Sequence, residues 1–186
     1  MATYSIKIGD LTRELPLTNV NPDLAIASFV ILGDCELVCH VAPLLAEKLP
    51  DADFLVTAEA KGIPLVHELC SVMKKPQYIV ARKSVKPYMD DAVVHTVVSI
   101  TSQKEQIICL DGKDAALIKG KKVIIVDDVI STDASLKALE DLALECGAEI
   151  VGRAAILAEG ASADRDDIIF LEKLPIFDGH TFEIKG

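Results

Sequence analysis

The stretch from Val123 to Ser135, Val-Ile-Ile-Val-Asp-Asp-Val-Ile-Ser-Thr-Asp-Ala-Ser, joins an apolar run to two adjacent carboxylates and a turn of small residues. The β-branched run is typical of a parallel strand that is covered on both faces. The small polar residues after it, followed by the stretch from Leu136 to Glu140, predict the capped start of a helix. The carboxyl end of the strand therefore faces a helix N-terminus, which is the usual ligand site of an open α/β sheet.

This arrangement favours a sugar phosphate as the ligand. The free N–H groups of a helix's first turn and the positive end of its dipole attract phosphate, by about 0.3–1 kcal/mol when exposed and up to about 2 kcal/mol when partly buried. The carboxylates of Asp127 and Asp128 can accept hydrogen bonds from sugar hydroxyls. The alternative is a solvated pair of acids at the end of an ordinary Rossmann-type strand.

The same residues resemble the signature of the phosphoribosyltransferases, an apolar strand followed by two acids and a Thr-Gly-Gly-Thr-like turn. The resemblance implies that Asp127 and Asp128 hold the ribose hydroxyls of phosphoribosyl pyrophosphate. It assigns the 5′-phosphate to the turn, formed by Ser131, Thr132, Asp133, Ala134 and Ser135.

Two residues of the turn depart from that signature. Asp133 and Ala134 stand where the family usually has two glycines, so we expect the backbone of the turn to differ. A carboxylate about 4 Å from a phosphate costs about 1 kcal/mol in water-like surroundings and about 4 kcal/mol at an effective dielectric constant of 20. We therefore expect the Asp133 carboxylate to point away from the phosphate.

A second strand, loop and helix unit precedes the first. The sequence predicts a strand at residues 53–57 and a helix at residues 63–73, and the resemblance assigns the loop between them to pyrophosphate. The residues of this predicted pyrophosphate loop are Glu59, Ala60, Lys61 and Gly62. The alternative is an ordinary surface turn.

Positive charge is concentrated after this loop, between residues 74 and 86, although the chain as a whole is acidic. Such a cationic patch suits a small polyanion such as pyrophosphate. Residues 78–83 resemble the strand and basic pair that precede the family's flexible catalytic loop, which would span residues 84–103. Cations can stabilise a departing pyrophosphate. The resemblance thus implies catalytic roles for Lys61, Arg82, Lys83 and Lys86. For each lysine, the alternative is a solvated surface charge.

Length and composition limit the class of protein. With 186 residues and 51% hydrophobic content, the chain can form one well-buried domain. The net charge of −10 disfavours nucleic acid, because nonspecific binding needs clustered Lys and Arg. We find neither a leader-like segment nor an apolar run long enough for a membrane, which predicts a cytoplasmic protein. The five cysteines indicate neither a disulfide framework nor a metal site, and Cys35 and Cys39 are expected in the core.

The alternation of strands and helices predicts an α/β fold with a central, mainly parallel sheet flanked by helices. We expect one domain over residues 1–186, with residues 1–50 as a small N-terminal hood and residues 53–158 as the part that resembles the family. Within the hood, we expect a mostly apolar helix that follows Asp23 and extends to Leu32. Gly33-Asp34 is expected to cap a second helix, from about Cys35 to Lys48. Strands are also expected at residues 76–81, 93–100, 106–110, 150–157, 168–171 and 181–184, with a mobile loop at residues 159–167.

Short matches narrow the resemblance to the purine branch, of the adenine and xanthine type. Lys113-Asp114-Ala115 parallels the adenine enzymes and residues 99–103 parallel the xanthine enzymes, whereas the catalytic-loop Glu-Tyr-Gly of the adenine enzymes is absent. The implied function is transfer of a phosphoribosyl group from phosphoribosyl pyrophosphate to a purine base, with Mg²⁺ bound mainly through the substrate, in a homodimer. The alternative is a noncatalytic protein that binds phosphoribosyl pyrophosphate or a nucleotide and regulates a partner.

Overall fold

A computed structural model describes residues 2–98, 105–131 and 133–185. The strands are β1 (Thr3–Ile8), β2 (Leu11–Asn21), β3 (Leu24–Ala27), β4 (Phe54–Ala58), β5 (Ile79–Ala81), β6 (Val93–Val98), β7 (Glu105–Leu110), β8 (Lys122–Ile130), β9 (Glu149–Glu159), β10 (Ile169–Leu174) and β11 (Ile176–Asp178). The helices are α1 (Cys35–Ala46), α2 (Gly62–Val72), α3 (Gly112–Ile118) and α4 (Asp133–Glu145), with a 3-10 helix at Gly160–Asp164. None of the helices in these ranges is long and apolar enough to span a membrane.

The central sheet has five parallel strands in the order β10-β9-β8-β4-β5. Its middle strand, β8, is buried on both faces because its side chains alternate between two cores. Ile124 and Val126 pack with α1 and α2, whereas Val123 and Ile125 pack with α3 and α4. The structure therefore confirms the predicted α/β class and the doubly covered strand.

The N-terminal region differs from the sequence-based expectation. The helix predicted between Asp23 and Leu32 is wrong, since β3 forms there and pairs with β2 and β11 in a four-stranded antiparallel sheet with β1. The apolar run of this segment carries no clear helical or strand period. Pairing with strands on both sides decides the conformation, and Ala25 and Ala27 alternate into the core.

The first helix follows the prediction more closely. It begins after Asp34, whose side chain accepts a hydrogen bond from the Leu37 N–H at 3.1 Å. The expectation that Cys35 and Cys39 are core residues is wrong, because both are exposed. The helix buries Leu37, Val38, Val41, Ala42 and Leu45, so the two cysteines lie on its other face.

β6 and β7 form an antiparallel hairpin, as the predicted strands suggested, and residues 99–104 lie outside the described residues. Two later segments differ from their predicted form. The predicted strand at residues 181–184 is wrong, because the last strand is β11 and Ile184 forms only an isolated bridge to Phe177. The segment expected as a loop at residues 159–167 contains the 3-10 helix, in which Ser162 is buried.

Candidate functional site

The predicted site residues meet at the carboxyl edge of the central sheet. Because β4, β5, β8 and β9 are parallel, their carboxyl ends lie on the same side of the domain. The loop of residues 59–61 follows β4, Arg82 follows β5, and Asp127 and Asp128 lie near the end of β8. Strand direction alone thus places the predicted pyrophosphate loop beside the predicted ribose acids.

Lys61 and Asp128 are in direct contact at this edge. The Lys61 Nζ atom lies 2.7 Å from Asp128 Oδ2. The Asp128 side chain is only 2% exposed, whereas that of Lys61 is 44% exposed. Lys61 Nζ also donates a hydrogen bond to the carbonyl oxygen of Phe29 at 3.4 Å. The lysine therefore connects the N-terminal region, the predicted pyrophosphate loop and the strand that carries the acids.

Asp127 occupies a different electrostatic environment. Its Oδ1 atom accepts the backbone N–H of Asp128 at 2.8 Å. Burial, followed by the negative charge of Asp128, raises the pKa of Asp127 to about 7, although the charge of Lys61 opposes the shift. At neutral pH this carboxyl group can therefore donate a hydrogen bond to a sugar hydroxyl when it is protonated, or accept one from it when it is ionised.

The predicted pyrophosphate loop packs closely against β4 and β8. A Cβ atom at Gly62 would lie 2.1 Å from Thr57 Oγ1 and 3.4 Å from Asp127 Oδ1. The side chain of Thr57 is fully buried and cannot easily move away. Only glycine fits this position without a rearrangement. Ala60, two residues before Gly62, is joined to Glu59 by a cis peptide bond.

Glu59 contacts the basic segment after β5. Its carboxylate accepts a hydrogen bond from Arg82 Nε at 2.7 Å and from the backbone N–H of Lys83 at 2.6 Å. The hydrogen bond from the Lys83 backbone and the Arg82 guanidinium lower the pKa of Glu59 despite its partial burial. Arg82 Nη1 donates to the hydroxyl of Tyr88 at 3.0 Å. The loop and the basic segment are therefore joined by charged hydrogen bonds.

The two other predicted cations lie further along the same segment. The Lys83 side chain is exposed, and Lys86 Nζ donates to Ser84 Oγ at 2.5 Å. Within the described ranges, neither ammonium group forms an ion pair with Asp127 or Asp128. The structure brings Lys61 and Arg82 into the network of the site and leaves Lys83 and Lys86 at its border.

The predicted phosphate turn becomes the start of a helix. Ser131 follows β8, and its carbonyl oxygen accepts a hydrogen bond from Ser162 Oγ at 2.9 Å. Asp133, Ala134 and Ser135 are the first three residues of α4, where backbone N–H groups lack intrahelical acceptors. Thr132 and the side chain of Asp133 lie outside the described residues, so the expected direction of the Asp133 carboxylate stays a prediction.

Sequence reasoning missed three residues near the site, namely Tyr88, Glu159 and Ser162. Glu159 ends β9, beside the end of β8, and burial raises its pKa while the charge of Lys61 opposes the shift. An acid directly after a long apolar strand was the available signal for Glu159. No pattern in the sequence indicated the contacts of Tyr88 or Ser162. The contact of Ser162 joins segments that are distant along the chain, and the contact of Tyr88 depends on the path of the irregular loop after β5.

Comparison with known proteins identifies the family. A family model for the phosphoribosyl transferase domain matches residues 36–181. The chain belongs to the phosphoribosyltransferase family. This confirms the family resemblance of the signature strand and its two acids.

Curated relatives of this phosphoribosyltransferase act on purine bases according to their names. The hypoxanthine/guanine phosphoribosyltransferase of Methanocaldococcus sp. (strain FS406-22) is 37% identical over 110 residues, which cover 59% of this chain and 52% of the relative. The adenine phosphoribosyltransferase of Thermosipho africanus is 30% identical over 129 residues, which cover 68% of this chain and 72% of the relative. The chain spans only about half of several of these relatives.

Solved structures support the fold of this phosphoribosyltransferase. Adenine phosphoribosyltransferase from Rhodothermus marinus has a TM-score of 0.64 at 18% identity, covering 93% of this chain and 94% of its own. The enzyme from Thermoanaerobacter pseudethanolicus has a TM-score of 0.64 at 21% identity, covering 77% of this chain and 84% of its own. At these identities the likeness establishes the fold and leaves the base open.

Proposed function

We propose that this phosphoribosyltransferase transfers the 5-phosphoribosyl group of phosphoribosyl pyrophosphate to a ring nitrogen of a purine base and releases pyrophosphate. The observation that carries the proposal is the contact between Lys61 and Asp128, which joins the pyrophosphate loop to the ribose acids. The names of the curated relatives support a purine as the acceptor. The match to the family over residues 36–181 supports the reaction class.

In this proposal, the two acids bind the ribose and the start of α4 binds the 5′-phosphate. Asp127 and Asp128 accept hydrogen bonds from the ribose hydroxyls. The 5′-phosphate lies against the turn from Ser131 to Ser135, where the first N–H groups of α4 and the helix dipole attract an anion. The close packing of Gly62 on Thr57 supports a fixed distance between the ribose and pyrophosphate subsites.

The reaction breaks the bond between ribose C1 and the pyrophosphate oxygen, forms a bond from C1 to the purine nitrogen, and releases the proton of that nitrogen to pyrophosphate or to solvent. Positive charge grows on the ribose ring, and negative charge grows on the departing pyrophosphate. The cations proposed to stabilise the leaving group are Lys61, Arg82, Lys83 and Lys86. Lys61 is the nearest of them to the ribose acids, so its three N–H donors are shared between Asp128 and pyrophosphate, or pass from one to the other, when the substrate binds.

The donor set at this edge fits Mg²⁺ that is held mainly by the substrate. Asp127 and Asp128 offer carboxylate oxygens, and the described residues contain no group of three or more His, Cys, Asp or Glu side chains that could hold a metal alone. Mg²⁺ prefers oxygen ligands and keeps several waters, and it neutralises charge on phosphate oxygens when bound. Asp127 and Asp128 are the residues that would contact it or its waters.

The same proposal covers the N-terminal hood, the oligomeric state and the location of the protein. Residues 1–50 act as the hood over the base, since the Phe29 carbonyl of this region meets Lys61. We treat residues 1–186 as one domain that works as a homodimer in the cytoplasm. The bound small molecules are phosphoribosyl pyrophosphate and the purine base.

A noncatalytic protein that binds phosphoribosyl pyrophosphate is the second candidate. The specific observation in its favour is that Asp133 and Ala134 replace the two glycines of the usual turn and begin α4 directly. A carboxylate at this position would weaken phosphate binding if it faced the anion. Turnover distinguishes the two candidates.

The decisive experiment measures turnover of labelled phosphoribosyl pyrophosphate with adenine, guanine, hypoxanthine or xanthine, and with uracil and orotate as non-purine controls. We expect product with at least one purine, and Lys61→Met should reduce turnover strongly. Lys121→Met is the matched control, since Lys121 is exposed and lies at the opposite, amino-terminal end of β8. Binding without turnover of any base would favour the noncatalytic candidate, and absence of binding would contradict both.

A further inference from the structure

The side chain of Arg82 is held from two sides. Its Nε atom donates to Glu59 Oε2 at 2.7 Å, and its Nη1 atom donates to the Tyr88 hydroxyl at 3.0 Å. The backbone of Arg82 is fixed as well, through two hydrogen bonds of 2.8 Å with Cys109 in β7. The arginine therefore has little freedom to change its direction.

The third guanidinium nitrogen remains available. Within the part of the chain that the structure describes, Arg82 Nη2 has no hydrogen-bond partner, and the hydrogen bond of the Arg82–Glu59 ion pair is made by Nε. The guanidinium group is planar and rigid, so fixing Nε and Nη1 also fixes the direction of Nη2. The Arg82 side chain is 33% exposed, so part of it is open to solvent and to a ligand.

We propose that Glu59 and Tyr88 are positioning residues that hold the Arg82 guanidinium so that its Nη2 group binds the pyrophosphate of the substrate. This inference rests on the proposed function and deepens it, because it assigns Glu59 to the arginine rather than to the pyrophosphate itself. The two Glu59 oxygens already accept hydrogen bonds from Arg82 and from the Lys83 backbone. A carboxylate facing pyrophosphate directly would repel it, whereas one bound to Arg82 does not expose an unpaired negative charge.

Tyr88 offers a test that leaves the packing intact. Its side chain is 61% exposed, so removal of the hydroxyl does not open a cavity or leave a buried polar atom. The variant Tyr88→Phe deletes only the hydrogen bond to Nη1 and frees the outer end of the guanidinium to rotate. We expect a two- to tenfold loss of pyrophosphate affinity, about the range that one hydrogen bond contributes.

The experiment compares Tyr88→Phe with Tyr78→Phe as the matched control. Tyr78 lies before β5, and its ring contacts His67 rather than the site. Calorimetry measures the affinity for pyrophosphate and, separately, for ribose 5-phosphate, and steady-state kinetics measures KM for phosphoribosyl pyrophosphate and kcat. For Tyr88→Phe we expect weaker pyrophosphate binding and a higher KM with unchanged ribose 5-phosphate affinity. For Tyr78→Phe we expect wild-type values.

A double-variant comparison separates positioning from a general structural role. Arg82→Lys removes the donor to Tyr88, so adding Tyr88→Phe to it should cause no further loss of pyrophosphate affinity. A further loss, or equal losses of pyrophosphate and ribose 5-phosphate affinity in Tyr88→Phe, would overturn the inference. If the wild type turns over phosphoribosyl pyrophosphate and Tyr88→Phe equals the control, the inference alone fails. If the wild type binds neither phosphoribosyl pyrophosphate nor pyrophosphate, the proposed function fails and the inference falls with it.

Discussion

Lys61 and Asp128 form an ion pair of 2.7 Å at the carboxyl edge of the central sheet, with the carboxylate almost fully buried and the ammonium group partly exposed. They come from the loop after β4 and from β8, so the pair depends on the parallel pairing of these two strands. The contact has a consequence for stability, because a buried carboxylate without a positive partner is costly. It also has a consequence for binding, since an incoming ligand must share or replace these partners.

The first prediction is that Lys61→Met lowers the free energy of unfolding by about 1–2 kcal/mol. Breaking a fully buried ion pair costs about 3–5 kcal/mol, but solvent reaches the exposed ammonium and reduces the loss. Urea unfolding at neutral pH measures the effect. In the background of Asp128→Asn the same substitution should cost much less. Equal costs in both backgrounds would show that the pair contributes nothing to stability.

The second prediction concerns Asp127 and pH. Its pKa is raised to about 7 in the folded state, so the unfolded chain ionises this group at lower pH than the folded chain does. Protonated Asp127 contributes fully to the free energy of unfolding when the pH is below the ordinary pKa of an aspartate. This contribution is lost as the pH rises to about 7. Asp127→Asn should therefore become more stable than the wild type by about 1–3 kcal/mol across this window.

Urea unfolding of both proteins at several pH values from 4 to 8 checks this prediction. The difference in unfolding free energy should grow up to about pH 7 and then stay constant. Asparagine keeps an oxygen that can accept the Asp128 N–H, so the local backbone contact need not be lost. Parallel stability curves would contradict the raised pKa.

The same variant should bind phosphoribosyl pyrophosphate more weakly, as should Asp128→Asn, if both acids hold the ribose.

The third prediction is that Gly62→Ala destabilises the fold by about 1–3 kcal/mol through overpacking. The new Cβ atom would lie 2.1 Å from Thr57 Oγ1, which is buried. Thr57→Ala removes that oxygen, so the double variant should recover much of the lost stability. Thermal unfolding of the two single variants and the double variant measures the recovery. If the double variant is as unstable as the sum of the singles, the steric explanation is wrong.

The fourth prediction is that Ser162→Ala loosens the start of α4. The variant removes the 2.9 Å hydrogen bond to the Ser131 carbonyl and should cost about 1 kcal/mol of stability. Hydrogen exchange should accelerate at the amides of Lys137 and Ala138, which have acceptors inside the first turns of α4. Ser71→Ala on the exposed side of α2 is the matched control and should leave these amides unchanged. Unchanged exchange in Ser162→Ala would mean that β8 and α4 fix the turn without Ser162.

Local sequence signals predicted much of the core and part of the site. The β-branched run before Asp127 and Asp128 specified a doubly covered strand, and Asp34 specified the start of α1. Such signals depend on residues a few positions apart, through side-chain alternation, helical spacing and capping hydrogen bonds. They also placed the acids and the pyrophosphate loop at the ends of parallel strands, which share one edge in any sheet of this class.

The sequence by itself therefore determined the α/β class, the signature strand and the candidate acids. Only the tertiary structure decided that residues 24–27 form a strand instead of a helix, since pairing with β2 and β11 outweighs an ambiguous local pattern. It also decided the contact of Ser162 with Ser131 and the raised pKa of Asp127. The physical reason is that strand pairing, burial and hydrogen bonds between distant segments depend on how the whole chain packs, which no short window of sequence contains.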